Sequence, residues 1–367
     1  MQSPFGRDRG IGRYLVELAL ALDRLPSRHL SGYVIQPGTP IDERLSGLDR
    51  TRRLFDPLSA KAFGAGAYHI GSAFELGMGL EAVWLPWLQR AGVPLMVTLY
   101  DLIPLLFPSR YLRTRSLQGR YRERIEVVRR AERVLAVSKC TAADAIRVLN
   151  IPSRRVVVVG AGVSDRFAKP MSVDVAFEAS RRALPWLEPG FILHVGGADW
   201  RKNTGRLIEA YAKLPGRLTD AHQLVVACRL PVHHRLPLRA RSVRRGVRRR
   251  VNLVGFVPDE LLVHLYQSCG LFVFPSLYEG FGLPVAEAMA CGAPTIVSDA
   301  SCLPELVPNP EARFDGRSTE AILTALRRAL ESDSLREKFR LAGNRHDWNW
   351  AGVARRTEAV YAEVLQA

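Results

Sequence analysis

Phe274-Pro275-Ser276-Leu277-Tyr278-Glu279-Gly280-Phe281-Gly282-Leu283-Pro284-Val285-Ala286-Glu287-Ala288-Met289-Ala290-Cys291-Gly292-Ala293-Pro294 is the stretch from which the fold can be read. An apolar run of strand length, Leu271–Pro275, enters a glycine-rich loop. Pro284 then stands where a helix begins, a position at which its missing N–H costs nothing. Strand, glycine loop and helix in this order form the repeating unit of a parallel α/β sheet. The loop N–H groups and the helix N-terminus together make an anion site. Glu279 lies in the loop and Glu287 in the helix, with seven residues between them. That spacing can place two carboxylates around one bound polyol, each accepting hydrogen bonds from vicinal hydroxyls. In a plainer reading, Glu287 complements the helix dipole and Glu279 is solvated.

Upstream, Phe191-Ile192-Leu193-His194-Val195-Gly196-Gly197-Ala198-Asp199-Trp200-Arg201-Lys202-Asn203 repeats the arrangement. A strand ends in Gly196-Gly197, followed by adjacent cations and a helix that Asn203 can cap. Arg201, as a fork, and Lys202, as a point charge, suit a diphosphate at the mouth of a cleft. Taken alone, this segment reads as a solvated turn; beside the first it reads as a site. His194, inside the strand, reads as a packed core histidine. A third strand, Val97–Leu99, ends in Tyr100-Asp101 and an apolar turn. Asp101 either faces a cleft or caps the turn Leu102–Pro104. Gly10-Ile11-Gly12-Arg13-Tyr14 is a further candidate phosphate or sugar contact. With Leu15 at the third glycine position, it is not a dinucleotide fingerprint.

Between these anchors, short apolar runs alternate with helical periods, the pattern of parallel α/β structure. Strands are expected at Pro94–Leu99, Arg133–Val137, Val156–Val159, Phe191–Val195, Gln223–Ala227, Val251–Leu253, Leu271–Pro275 and Thr295–Val297. Helices are expected at Gly10–Leu22, Arg120–Ala131, Thr141–Leu149, Asn203–Lys213, Pro258–Gln267, Pro284–Ala290 and Thr319–Glu331. A polar stretch at Ala168–Arg181 reads as a boundary between two similar α/β halves, residues 1–168 and 169–346, with a cleft between them. The chain opens on a glycine-containing loop and a helix. The first strand of the N-terminal sheet is therefore expected to be missing, leaving Val97–Leu99 short of a neighbour or at an edge.

Length and composition agree with this reading. At about 150 residues per domain, 367 residues make two domains. A hydrophobic fraction of 47% and a charged fraction of 24% argue against a mostly disordered chain. No apolar run has the length of a spanning helix, and no signal pattern opens the chain. Five scattered cysteines form no C-x-x-C pair, which argues against a disulfide framework or zinc knuckle and fits a reducing cytoplasm. The net charge is +16; six of the 52 cations are lysine, leaving 46 arginines. Such a chain attracts polyanions or phosphorylated substrates, unless the bias is only a coding preference.

Together these segments resemble the retaining, nucleotide-sugar-dependent glycosyltransferases of family 4, which have the GT-B fold of two facing Rossmann-like domains. The resemblance runs through Gly10–Tyr14, Asp101-Leu102-Ile103-Pro104, Val137-Ser138, Val195-Gly196-Gly197 with Arg201-Lys202-Asn203, and Gly255-Phe256-Val257. It is most specific at Phe274–Glu287, with Ser298 to Glu305 following. The bacterial branch that builds polysaccharides and lipopolysaccharide O-chains, many of whose members are mannosyltransferases, is the most similar. The resemblance implies that Glu279 holds donor-sugar hydroxyls and Glu287 the ribose. Gly280, Phe281 and Gly282 offer N–H groups to sugar and phosphates, with Gly196, Gly197 and Leu283 completing the donor site. Arg201 and Lys202 neutralise the leaving diphosphate, and Asp101 joins the catalytic set. Gly10, Gly12, Arg13 and Tyr100 face the acceptor and phosphate side. Many relatives carry histidine where this chain has Tyr100, so a hydroxyl replaces an imidazole there. The leaving phosphate oxygen takes the acceptor's proton, so no protein nucleophile, metal or other cofactor is implied. The donor is a substrate, GDP-mannose favoured over a UDP-sugar, and the acceptor a glycan or polyprenyl-linked molecule. A C-terminal helix over 347–367 is implied to cross back to the first domain.

Two arginine-dense stretches lie outside these motifs. Ser109–Arg133 holds nine arginines among apolar residues. It is either a basic amphipathic helix docking on the anionic inner face of the cytoplasmic membrane or a solvated helix face. Arg235–Arg250 holds eight and reads as solvated helix; lacking interleaved aromatics, it argues against nucleic acid as a partner. Competing readings are an inactive relative acting as a nucleotide-sugar-binding or scaffold protein, and a hydrolase or phosphorylase. For the last two, no separated acid/base carboxylate pair stands out.

Overall fold

The computed structural model describes residues 10–26, 42–46, 66–74, 76–77, 79–167, 171–343 and 348–366. The opening segment before Gly10 and the start of the expected C-terminal helix at Asp347 lie outside them. The chain divides into two compact units: one runs to Gly162 and resumes at Trp348, and the other is Val163–Asp347. Strands are numbered in chain order, as are helices of eight residues or more.

In the first unit, β1 (Tyr68–Ile70), β2 (Leu95–Leu99), β3 (Arg133–Ala136) and β4 (Val156–Val158) form a parallel sheet in that order. All five β2 residues are buried, which explains why the strand is a continuous apolar run. β2 is not an edge strand, contrary to the expectation. β1 pairs with it through Tyr68–Leu95, His69–Met96 and Ile70–Val97. Three residues are too few to show a period in sequence, so β1 escapes notice.

The helices of this unit are α1 (Gly10–Asp23), α2 (Arg115–Arg130) and α3 (Lys139–Leu149). The Thr114 hydroxyl caps α2, accepting from the Leu117 N–H at 3.2 Å. Ser138 caps α3 through the Thr141 N–H at 3.0 Å, and Asn150 closes it in the left-handed conformation. The inward face of α2, Tyr121, Ile125, Val127 and Val128, belongs to the core beneath the sheet. The apolar side of the helix is therefore covered within the unit, and any contact with an anionic surface would be made by its charged face. What faces outward is charged, including Arg115, Arg120, Arg122, Arg129 and Arg130. Among the described residues, no helix is long and apolar enough to cross a membrane.

The second unit holds β5 (Ile192–Val195), β6 (Leu224–Ala227), β7 (Val251–Gly255), β8 (Leu271–Phe274), β9 (Thr295–Ser298) and β10 (Arg313–Phe314). The sheet order is β10-β9-β8-β5-β6-β7, with every pair parallel. From β5 the chain moves one way to β6 and β7; from β8 it moves the other way to β9 and β10. The order reverses between β5 and β8, the switch point at which open α/β sheets bind ligands. Around the sheet lie α4 (Val173–Ala183), α5 (Thr204–Tyr211), α6 (Val232–Arg244), α7 (Asp259–Ser268), α8 (Leu283–Ala290), α9 (Thr319–Glu331) and α10 (Asp333–Gly343). The polar stretch read as a boundary overlaps α4, which is capped by Ser172 and packed on α7. Its polar residues are the outer face of a helix. Of α6, only Ser242 is buried.

The last helix, α11 (Trp350–Gln366), belongs to the first unit and packs on α1. The Tyr361 hydroxyl lies 2.7 Å from His69 Nδ1, and His69 Nε2 lies 2.8 Å from Thr98 Oγ1. Tyr14 meets Trp350 edge-on at 5.1 Å.

Candidate active site

The two loops that leave the switch point are tied together by backbone. After β5 comes Gly196-Gly197, then a turn at Trp200–Lys202 that Asp199 caps through the Arg201 N–H at 3.1 Å. Asn203 takes the left-handed conformation, φ 60°. Its side chain does not cap the following helix, as the sequence led us to expect. Instead Nδ2 donates to the Pro275 carbonyl at 3.1 Å and the Gly316 carbonyl at 2.7 Å. Those oxygens accept the amide hydrogens of the buried Asn203, and buried polar groups need such partners. The Leu277 N–H donates to the Arg201 carbonyl at 2.7 Å, a second tie between the loops.

This framework brings Glu279, Arg201 and Lys202 together. Glu279 is 6% exposed. Its Oε2 lies 2.5 Å from Arg201 Nη1, and its Oε1 lies 2.7 Å from Lys202 Nζ and 2.6 Å from Ser276 Oγ. Arg201 Nη1 also donates to the Tyr278 carbonyl at 2.8 Å, and Nε to Asp199 Oδ2 at 3.3 Å. Lys202 Nζ stands 5.1 Å from the centre of the Phe274 ring, a cation–π contact. The Glu279 N–H donates to Ser301 Oγ at 2.9 Å. Burial alone would raise the Glu279 pKa. The charges of Lys202 and Arg201, with hydrogen bonds from Lys202 and Ser276, outweigh it and hold the carboxyl at about 2. Glu279 is therefore ionised at any physiological pH. It can accept hydrogen bonds but is a poor proton shuttle. The reading of Glu279 as solvated is overturned.

Gly282 sits at φ 94° between Glu279 and α8, a conformation glycine adopts without strain. A Cβ there would lie 3.0 Å from Leu303 Cδ2 and 3.1 Å from Leu306 Cδ1. Gly280, Phe281 and Leu283 are half-buried around it, and Leu283-Pro284 opens the helix. Glu287 is the fifth residue of α8 and is 4% exposed, with the Tyr266 hydroxyl 3.4 Å from Oε2. Past the first turn, a dipole complement has little effect, so that reading of Glu287 loses its basis. Gly196 and Gly197 are half-buried after β5. A Cβ on Gly196 would come within 2.5 Å of His194 Nε2. His194 is a packed core histidine: Nδ1 lies 3.1 Å from the Val273 carbonyl and Nε2 3.0 Å from Thr204 Oγ1. Burial lowers its pKa to about 4, so it is neutral.

The first-unit candidates include residues bonded to nearby main chain. The Tyr100 hydroxyl donates to the Gly71 carbonyl at 2.8 Å, and its ring meets Tyr14 edge-on at 5.1 Å. Asp101 Oδ1 accepts from the Ile103 N–H at 2.9 Å, the turn-capping role that sequence left open. Gly10, Gly12 and Arg13 form the first turn of α1 rather than a loop before it. Gly10 is exposed, Gly12 buried and Arg13 half-buried. Sequence reasoning missed Ser276, Asn203's bridging role and Ser301. Ser276 stood three residues before Glu279 in the stretch that opened the reading. Among the described residues, no group of three His, Cys, Asp or Glu could hold a metal ion, and none of the five cysteines is in a disulfide.

Two family models cover most of the chain: Glycosyltransferase Family 4 matches residues 9–167, and Glycosyl transferases group 1 matches residues 176–346. Anabaena Alr3699/HepE, solved with UDP and glucose, superposes with a TM-score of 0.75 at 18% identity, over 99% of this chain and 98% of that one. The chain belongs to the GT-B-fold glycosyltransferases. Curated relatives of this glycosyltransferase include the serotype-specific mannosyltransferase WbdA of Escherichia coli, 33% identical over 273 residues. That match covers 73% of this chain and 33% of WbdA, so the glycosyltransferase spans about a third of that relative's length. The O-antigen chain mannosyltransferase B of Escherichia coli is 32% identical over 208 residues, 56% of this chain and 54% of the relative.

Proposed function

We propose that the chain transfers a hexosyl group, mannose favoured, from a nucleotide-sugar to a glycan or polyprenyl-linked acceptor, with retention of configuration, in cell-surface polysaccharide synthesis. GDP-mannose is the preferred donor and a UDP-sugar the alternative. The observation that carries this reading is the cluster of buried Glu279 and Ser276 with half-buried Arg201 and Lys202 at the β5/β8 switch point. The names of WbdA and the O-antigen chain enzyme support mannose and the polysaccharide context.

In this mechanism the donor diphosphate reaches the N–H groups of Gly280–Gly282 and the start of α8. Gly196, Gly197 and Leu283 shape the same pocket. The incoming anion draws Arg201 and Lys202 from Glu279, and the freed carboxylate accepts hydrogen bonds from the sugar hydroxyls. Glu287 does the same for the ribose. As the glycosidic bond breaks, negative charge builds on the diphosphate, and the preorganised cations stabilise it. The acceptor's proton passes to the leaving phosphate oxygen. Glu279, engaged by the sugar hydroxyls, is not called on as a base in this step. Donor binding is assigned to residues 169–346. The acceptor side is assigned to residues 1–168 with the last helix, where Asp101, Tyr100, Gly10, Gly12 and Arg13 position the acceptor. The reaction is placed in the cytoplasm, at the inner face of the membrane.

The test is a donor panel of GDP-mannose, UDP-glucose, UDP-N-acetylglucosamine, UDP-galactose and dTDP-rhamnose. Thermal shift and nucleoside-diphosphate release are read on the wild type and on Glu279→Ala. One donor should stabilise the wild type and turn over slowly, and the variant should lose both responses. A folded wild type that answers to none of the donors would sink this reading in favour of a scaffold protein.

A further inference from the structure

The segment Ala221–Pro258 contains nine arginines and no aspartate or glutamate. Six of the nine fall into two groups in the folded unit. Arg241 and Arg245 turn to Glu209, and Arg250 to Glu188 at 2.8 Å. Arg235, Arg239 and Arg248 have no carboxylate among the described residues within 4.0 Å. These three line one groove of 320 Å³, between α6 and β7, the last strand of its sheet. Arg235 donates to the Leu253 carbonyl at 3.2 Å, and the three guanidinium groups together make the groove electropositive, which favours a bound anion.

The rest of the groove mixes the polar Ser242 and Asn252 with apolar side chains. Trp186, 42% exposed, comes from the turn before β5, and Leu253 and Val254 come from β7. Trp186 is the aromatic that the arginine run lacks in sequence; the fold supplies it from about fifty residues upstream. Planar guanidinium forks match phosphate oxygens, and an indole face suits the organic part of the same molecule. The volume is at the small end for ligand pockets. Leu184 and Trp186 precede β5 and Arg248 precedes β7, whereas Glu279, Arg201 and Lys202 follow the strands β8 and β5.

We propose that this groove is a second anion site, separate from the Glu279 cluster, that takes a phosphate-bearing ligand whose organic part rests on Trp186. The site does not depend on the donor assignment, since it shares no residue with it. Two sources of such a phosphate differ in their test: a soluble phosphorylated molecule and a phospholipid surface.

Inorganic pyrophosphate is titrated while tryptophan emission is followed, in the wild type, Trp186→Phe, Arg239→Gln/Arg248→Gln and Lys202→Ala. The emission change should vanish in Trp186→Phe, weaken about tenfold or more in apparent Kd in the double arginine variant, and persist in Lys202→Ala. All the altered groove side chains are exposed, so these variants should fold. In parallel, the proteins are sedimented with phosphatidylcholine vesicles with and without phosphatidylglycerol. Co-sedimentation only with phosphatidylglycerol, lost in the double variant, assigns the phosphate to a lipid. A pyrophosphate response without co-sedimentation assigns it to a soluble ligand. A response that survives both groove variants, or neither response in the wild type, overturns the proposal. Loss in Lys202→Ala alone would place the anion at the Glu279 cluster instead, and also overturns it.

Discussion

The two units finish their central strands differently. After β5 and β8, charged side chains from two loops reach across to each other: Arg201 and Lys202 hold Glu279. After β2, the polar pair Tyr100-Asp101 is bonded to nearby main chain, Tyr100 to Gly71 and Asp101 to Ile103. A polar group bonded to backbone is part of the scaffold in that bond. A buried carboxylate held by two cations is costly to assemble and stabilises the fold less than an apolar cluster of the same size. Its presence at the switch point is therefore better explained by chemistry than by stability.

The sharpest way to break this contrast is Glu279→Ala. Nucleoside-diphosphate release should fall about 10²–10³-fold, the scale of losing one preorganised electrostatic contact. Lys202 would be left without a carboxylate and Arg201 with only Asp199, costing about 3 kcal/mol in a denaturant titration. Asp101→Ala should cost turnover far less, and stability about 1 kcal/mol, as a lost cap does. Equal losses of turnover in the two variants would erase the distinction between the units.

Gly282→Ala comes next. The left-handed conformation costs a residue with a Cβ about 1–2 kcal/mol, and Leu303 and Leu306 stand in its way. Calorimetry should show a lower Tm, and donor KM should rise because the loop N–H groups move. An unchanged KM would separate loop geometry from donor binding.

Acid titration tests both units at once. Burial lowers His69 and His194 to about 4, so the folded chain keeps both neutral where the unfolded chain, near 6.5, binds protons. Stability should fall as pH drops from about 6.5 to about 4, with one histidine in each unit contributing. Glu279, at about 2 when folded, adds a further loss as pH falls from about 4.3 towards 2, in the second unit alone. In His194→Gln the upper window should shrink by about half. The smallest expected effect is Tyr100→Phe, which removes one hydrogen bond worth about 1 kcal/mol.

Much of the fold was legible because buried parallel strands are written as unbroken apolar runs. Leu271–Phe274 and Ile192–Val195 fall within a residue of their expected limits. β1 and β10, three and two residues long, carry no such signal and are visible only through their pairing. For the candidate site, residue types were readable but partners were not. Glu279 lies 78 residues from Arg201 and 77 from Lys202, and their meeting depends on β5 lying beside β8. Local spacing says nothing about a sheet order that reverses there. Asn203 shows the same limit: its sequence position resembles a cap, but the two carbonyls that claim it come from distant loops.

The return of α11 to the first unit has a consequence for biosynthesis. Val163–Asp347 is one uninterrupted segment and can complete its sheet while still attached to the ribosome. The first unit waits for α11, whose Tyr361 reaches His69 and whose Trp350 meets Tyr14. At roughly 5–20 residues per second, translating the intervening segment leaves the surface of α1 uncovered for on the order of ten seconds or more. A chain that ended before Trp350 would present that apolar surface to chaperones.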